Sequence, residues 1–520
     1  MIAKRLKPAL AVPLALALLL AWRCWQVLHS GAGLHVDEAQ YWYWSSQALE
    51  WGYFSKPPLL VGLIRLSTDW FGNGLLGVKV LAMVAWLLAS ALLWRLGAAM
   101  GNERAGLVAA ALLAATPASG LLGLSATTDS VLMLFWSLVM WGAWRAAHAA
   151  GTSAWRWWAL TGVALGLALL SKYTAGALSL SALWLLWRCP PARRGRLLAG
   201  LALATGIAVL LLLPHLSWNM HNGWPTLHHT LDITVQGGAA SAAERAAGWG
   251  HKLGSALEFG LGQLLLLGPA GLAVLALAWK RRRLPVVQPA ACATPTLWPA
   301  LSYAWAFAWP LLLLGLLQAL RAKAQVNWAL PALLGICLAA GWLAVARRIS
   351  GKTLAVWVLT GLLLSAAIAQ GGDLRRWIGR PAAAGKPAWD IWSRMRGWHE
   401  ALGALAPALQ AQRQLPWVTS DRTLLVQIAY ELRALQPELR SWSPGGQVRH
   451  HFDWKQPLRP DAAPALVFLG DEAPDAALLA LYPLARPLAQ AESGRVRLQA
   501  WLLERPQPMP ATPTSTGKQP

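Results

Sequence analysis

PALAVPLALALLLAWRCWQVL, residues Pro8 to Leu28, is the stretch on which the reading of the whole chain turns. Lys4, Arg5 and Lys7 stand ahead of it, so its basic start and apolar run suit a cleaved signal peptide as well as a first membrane span. No small-residue cleavage site follows cleanly, and more apolar stretches come after it. It therefore reads as the first spanning helix, with its basic end in the cytoplasm.

The rest of the composition agrees. Of 520 residues, 56% are hydrophobic and only 13% charged, with a mean hydropathy of +0.41, too apolar for an ordinary soluble enzyme. The chain reads as a polytopic α-helical membrane protein. A formal net charge of +23 suits a nucleic-acid binder only if the charge gathers on one soluble face. Here many basic residues sit in short clusters between apolar segments, the pattern of a topology signal. Cys24, Cys189, Cys292 and Cys337 are far apart and lack metal-ligand spacing, so neither a disulfide framework nor a zinc site is expected.

Spans need about 17 to 25 apolar residues. Beyond the first, they are expected near Leu75 to Leu96, Ala105 to Leu122, Ser130 to Ala147, Trp157 to Leu170, Ala175 to Trp187 and Leu197 to Pro214. Four more are expected near Ser255 to Trp279, Leu297 to Leu320, Trp328 to Ala346 and Leu354 to Ala369. That makes about 11 transmembrane helices. Alternation from a cytoplasmic start then puts Arg95 and Arg104, Arg145 and Arg156, Arg188 to Arg196, Lys280 to Arg283, and Arg347 to Lys352 on one side. The loop 29–74 and everything after Gln370 fall on the other, outward side. Many of the 34 tryptophans lie near span ends, where an indole suits the interface.

Charge and proline return from Gly371 onward. WVTSD, Trp417 to Asp421, reads as a strand entering a helix through about Arg433, with Ser420 or Asp421 as N-cap. Ala465 to Gly470 and Arg495 to Leu503 have strand character. The expected domains are 1–370 in the membrane, 371–505 as a periplasmic α/β domain, and a disordered tail over 506–520.

The chemistry concentrates in HVDEAQYWYWSSQALEWGYFSKPP, His35 to Pro58. A helix from Val36 to Trp51 lying on the membrane puts Asp37, Tyr41 and Trp44 on one face and Glu38, Trp42 and Ser45 on the next. Such a helix can dip its aromatics into the interface and hold a carboxylate above it. Asp37 either serves there or merely caps the helix. Pro57 and Pro58 fix the chain after Lys56, a cation suited to a lipid phosphate or to a snorkelling role. Asp129, after Thr127 and Thr128, carries the same ambiguity between cap and function. Lys172 and Tyr173 can meet a phosphate. His215, Asn219, His221, Asn222, Trp224, His228, His229 and Asp232 furnish the next outward loop with polar contacts. Adjacent histidines fit a helix-borne metal pair poorly, so hydrogen bonding to substrate ranks above metal. Arg321, Lys323, Gln325 and Asn327 form an outward basic cluster against the topology bias, for which binding an anionic lipid head is one explanation.

Several ordered pieces carry a resemblance: DEAQYWYWS, WGYFSKPPL, SATTDSVLMLFWSL, GLALLSKYTAG, WNMHNGWPTLHHT and KAQVNWALPA, with RMRGWHEALG at Arg394 to Gly403. Together they resemble the membrane glycosyltransferases of families 39 and 83, which include dolichyl-phosphate-mannose protein mannosyltransferases and the bacterial transferases of aminoarabinose to lipid A. The resemblance implies the GT-C fold, a polyprenyl-phosphate monosaccharide donor and an inverting transfer to a glycolipid, glycan or protein acceptor at the inner membrane. It implies Asp37 as the catalytic aspartate that accepts a proton from, or orients, the acceptor hydroxyl, with Glu38, Tyr41 and Asp129 in support. Lys56, joined by Lys172, Arg321 and Lys323, is the candidate for binding donor phosphate. Tyr173, His215, Asn219, His228, His229 and Asn327 are the substrate-binding candidates. Ser55 departs from the acid that aminoarabinose transferases carry there, which argues against that sugar. No protein-bound metal is assigned, and a divalent cation is left open as a cofactor. The alternatives are a protein O-mannosyltransferase and, in another class, a transporter or flippase of lipid-linked sugars, which calls for broken helices with charges at mid-membrane.

Overall fold

The computed structural model describes residues 8–234, 248–283, 297–322, 324–371, 390–459 and 463–505. They form two compact units. One comprises the described residues within 1–31 and 44–391, the other those within 32–43 and 392–520. Residues 32–43 thus pack with the C-terminal part of the chain rather than with the helices that flank them in sequence.

The first unit is helical. Among the described residues, seven helices are long and apolar enough to cross a membrane: Pro8–His29, Leu75–Ala99, Thr128–His148, Pro191–His221, Trp249–Lys280, Ala300–Arg321 and Gly351–Gln370. A bent pair, Glu103–Ala114 and Pro117–Leu124, makes an eighth if its 54° break lies within one span. Tyr173–Trp187 and Ala332–Ala346 are shorter apolar helices, and Gly151–Ser171 carries Arg156 among its tryptophans. Every expected span falls on a helix, but helices shorter than a bilayer do not fix the number of crossings. The solvent-facing sides are apolar where a soluble protein is polar: Leu10, Leu14 and Leu18 on the first helix, and Val356, Leu359 and Leu363 on the last, are all exposed. Such faces belong against lipid. Trp187, Trp249 and Trp279 are exposed at helix ends, whereas Trp86, Trp136 and Trp298 are buried in the core. The interfacial expectation holds for only part of the tryptophans.

Breaks in the helices leave backbone groups that lipid cannot satisfy, and neighbouring helices supply partners. At the bend, the Thr116 carbonyl accepts from Ser365 Oγ at 2.9 Å, and Arg23, buried in the first helix, donates to Ser119. Gly268 interrupts Trp249–Lys280 with φ 71°, just ahead of Pro269. A Cβ there would stand 2.3 Å from the Pro117 ring.

Loop contacts follow the alternation read from the sequence. On the side expected to face inward, Arg281 donates to the carbonyls of Arg347 and Arg348, Arg196 to that of Ala149, and Leu297 N–H to His148. The outward loops meet one another as described below.

The second unit is a five-stranded sheet with helices. Its strands are β1 (Trp417–Thr419), β2 (Leu439–Ser441), β3 (Ala465–Gly470), β4 (Leu484–Ser493) and β5 (Val496–Glu504), in the order β2-β1-β3-β5-β4. β1 is parallel to both β2 and β3, and β5 runs antiparallel between β3 and β4. Asp421 caps the helix Arg422–Glu431 by accepting from Thr423 N–H at 2.8 Å. β2 and β4 are strands beyond those expected from the sequence. β2 has three residues; β4 is an exposed edge carrying Pro487 and an irregularity beside it, a strand with little alternation to read. The expected tail over 506–520 lies outside the described residues.

Candidate active site

The helix Val36–Ser46 is shorter than expected and starts with both its acids in the first turn. His35 occupies the N-cap position: its Nδ1 accepts from Asp37 N–H at 3.3 Å, while Glu38 Oε2 accepts from His35 N–H at 2.9 Å. This is the reciprocal logic of a capping box, with histidine in place of serine or threonine. Glu38 is fully buried in that role. Capping is therefore done by the neighbours, and the Asp37 carboxylate accepts from Arg422 Nη1 at 3.2 Å. The same nitrogen donates to Gln40 Oε1 at 2.9 Å. Asp37 keeps 42% of its side chain exposed, open to a substrate.

The aromatics of this helix are not dipped into an interface. Tyr41, Trp42, Tyr43 and Trp44 are at most 9% exposed. Trp42 meets Tyr430 edge-on at 5.0 Å, and Tyr43 stacks on Phe452 at 4.9 Å while accepting from Gln456 at 2.6 Å. A helix covered by protein on these faces buries its rings there. Burial also pushes the Tyr43 phenol above its ordinary range.

In the helical unit a second acid follows the same pattern. Thr127 caps Thr128–His148 through Ser130 N–H, which releases the buried Asp129 from that task. Its Oδ1 accepts from Lys172 Nζ at 2.8 Å and its Oδ2 from Asn327 Nδ2 at 3.0 Å. Three candidates from three separate loops converge here. The Lys172 ammonium spends one N–H on Asp129 and has two more to offer.

Lys56 sits half-buried in a loop held from several sides. Tyr53 N–H donates to the Lys56 carbonyl at 3.1 Å, and Thr226 Oγ1 donates to the Tyr53 carbonyl at 2.6 Å. Trp218 Nε1 donates to Glu50 at 2.8 Å. His215 Nδ1 lies 2.6 Å from the Trp51 carbonyl and must donate to it, so Nε2 accepts from the Tyr173 hydroxyl at 2.5 Å. Asn219 Nδ2 donates to the His215 carbonyl at 3.1 Å, and its Oδ1 accepts from Thr226 N–H at 3.3 Å. His215 and Asn219 are fully buried. Their hydrogen bonds hold the Lys56 loop. Trp44 stacks on Tyr53 at 4.7 Å, and burial pushes that phenol up to about 12. Gly52 is required: a Cβ would stand 2.3 Å from the Trp218 ring.

The remaining candidates are dispersed. His229 lies 5.5 Å from the Phe54 ring, His228 is exposed, and Arg321 is exposed at the end of its helix. Lys323 lies outside the described residues. Among the described residues no group of three or more His, Cys, Asp or Glu side chains is placed to hold a metal ion. Arg422 had no sequence signal, since 385 positions separate it from Asp37.

Comparison with known proteins places this architecture. Residues 55–218 match the family described as dolichyl-phosphate-mannose-protein mannosyltransferase. The chain is 26% identical over 475 residues to the lipid A galacturonosyltransferase RgtD of Rhizobium johnstonii, covering 87% of this chain and 89% of the relative. It superposes on ArnT of Cupriavidus metallidurans bound to undecaprenyl phosphate with a TM-score of 0.65 at 15% identity, covering 95% of this chain and 98% of that one. The apo form of ArnT matches with a TM-score of 0.63. The chain thus has the GT-C fold, that of the multi-pass membrane glycosyltransferases.

Proposed function

We propose that this chain is an inverting glycosyltransferase that moves a monosaccharide from a polyprenyl-phosphate donor to an outward-facing acceptor, with lipid A as the acceptor best supported. The likeness to RgtD runs along nearly the whole chain, whereas the protein mannosyltransferase match covers residues 55–218 alone. That difference favours a glycolipid over a protein acceptor. The transporter alternative calls for broken helices with charges at mid-membrane, and the likeness to a transferase along nearly the whole chain weighs against it.

The observation that carries the mechanism is an acid left free of capping, half-exposed and aimed by a guanidinium. An acceptor hydroxyl attacks the anomeric carbon, and its proton passes to Asp37 as the new C–O bond forms. The bond to the lipid phosphate breaks on the opposite face, so the anomeric configuration inverts. The electron pair leaves with the phosphate, whose charge Lys56 neutralises. Phosphate leaves well without protonation, and a cation suffices there. Asp129, Lys172 and Asn327 position the outward ends of their helices and lend the two remaining Lys172 N–H groups to the donor. A divalent cation bound to either acid would compete with Arg422 or Lys172, so EDTA is expected to leave transfer unchanged. Sensitivity to EDTA restored by added magnesium or manganese would assign a metal instead.

The active face and the C-terminal unit are outward, in the periplasm of an inner-membrane protein, because the basic loops lie on the other side. Asp37→Asn is expected to lower transfer from a polyprenyl-phosphate sugar by at least about a thousandfold while the protein inserts normally. Full activity in that variant would overturn the role of Asp37.

A further inference from the structure

The C-terminal unit contains a cleft of about 790 Å³ that the mechanism above does not use. Its position follows from strand order. After β1 the chain steps to β2 on one side, and after β3 it leaves for β4 and β5 on the other. The carboxyl ends of the parallel pair β1 and β3 therefore border a crevice from which the connections diverge, the place where open α/β sheets bind ligands. The residues just beyond those ends line it: Ser420 and Asp421 after β1, Asp471 and Glu472 after β3.

The lining suits a charged saccharide. Asp421 is occupied as a cap, but Asp471 and Glu472 are exposed at the cleft and can accept from sugar hydroxyls. Arg394 and Arg497 also line it, Arg497 already paired with Glu492 at 3.0 Å, and the Arg394 guanidinium fork suits a phosphate or carboxylate substituent. Trp398 adds an aromatic face for the apolar side of a sugar ring. The volume lies in the range of small-molecule sites.

The cleft adjoins the helix that carries Asp37 inside the same unit, with Asp37 and Arg422 themselves just outside its lining. His35 and Val36 line it, and they are the cap and first residue of the helix that carries Asp37. Asp421 and Thr423 also line it, and they flank Arg422, which donates to Asp37. We infer that this cleft binds the saccharide head of the acceptor, a sugar bearing an anionic substituent, and presents its hydroxyl to Asp37. The inference rests on the transferase reading above for the identity of that ligand.

The test uses the full-length protein in detergent and, as soluble probe, the deacylated, bisphosphorylated glucosamine disaccharide of lipid A. By calorimetry the wild type binds the probe saturably, and Asp471→Asn with Glu472→Gln, or Arg394→Gln alone, weakens binding about tenfold or more. In turnover with lipid A the same variants raise the acceptor KM by a similar factor, with the donor KM unchanged. The substituted side chains are exposed, and an unchanged thermal midpoint confirms that the fold survives. Absence of probe binding by the wild type, or unchanged probe affinity and acceptor KM in the variants, overturns the cleft assignment. A wild type that transfers no sugar from any polyprenyl phosphate, yet binds the probe and loses it in the variants, overturns the transferase reading and leaves the cleft as a saccharide site.

Discussion

Asp37 and Asp129 stand two places beyond the N-caps of their helices, where an acid is common for reasons unrelated to catalysis. What separates them from ordinary first-turn acids is the company each keeps: His35 and Glu38 close one helix end, Thr127 the other, and the carboxylates turn to Arg422 and Lys172 instead. Arg422→Gln is expected to lower kcat more than it raises either KM, with partial recovery in Arg422→Lys, because the guanidinium aims Asp37 rather than holding a substrate. Steady-state kinetics on the purified variants check this. Asp129→Asn leaves the part-buried Lys172 ammonium without its counter-charge. A loss of about 3 kcal/mol is expected, near the low end for broken buried pairs, and a lowered thermal midpoint in detergent reports it. At Gly52 the constraint is steric. Gly52→Ala drives a methyl into Trp218, which should cost about 1 to 3 kcal/mol and raise the donor KM by displacing Lys56.

At the scale of elements, the Val36–Ser46 helix depends on its cap. His35→Ala is expected to cost about 1 kcal/mol, and His35→Asn or His35→Ser to restore it, since both are good N-caps; thermal unfolding distinguishes them. The helix His451–Lys455 carries a pH dependence. Burial, reinforced by Lys455 and His450, lowers His451 to about 3, so it folds neutral while the unfolded chain takes up a proton near 6.5. The unfolded state then binds more protons between those values, and stability falls as pH drops from about 6.5 toward 3. Asp453 adds to the loss at the acid end. Burial alone would raise it, but hydrogen bonds from Arg449 and Ser441 outweigh that and hold it below the usual carboxylate range. His451→Phe should flatten the upper part of the profile of thermal midpoint against pH.

For the whole molecule, the alternation of basic and acid-bearing loops makes a testable statement about sides. Cysteines introduced at 193 and 348 are expected to be shielded from an impermeant maleimide in intact cells, and those at 222 and 447 to be labelled. Labelling at 193 would contradict the orientation. The contacts already respect the pattern, since Asp129, Lys172 and Asn327, drawn from three loops assigned to one side, meet in one hydrogen-bonded group.

The apolar helices and the strands at 465–470 and 496–504 were legible in sequence, because hydropathy and β propensity are local properties that a short window carries. The candidate acids and Lys56 stand out in sequence through ordered motifs. Tertiary structure alone decided what those residues do not do. It assigned capping to His35, Glu38 and Thr127, placed His215 and Asn219 in the network that holds the Lys56 loop, and buried the aromatics of the Val36–Ser46 helix. It also supplied Arg422, whose link to Asp37 spans 385 positions. A hydrogen bond depends on which groups meet across the fold, and that separation leaves no periodicity or motif to mark the partner.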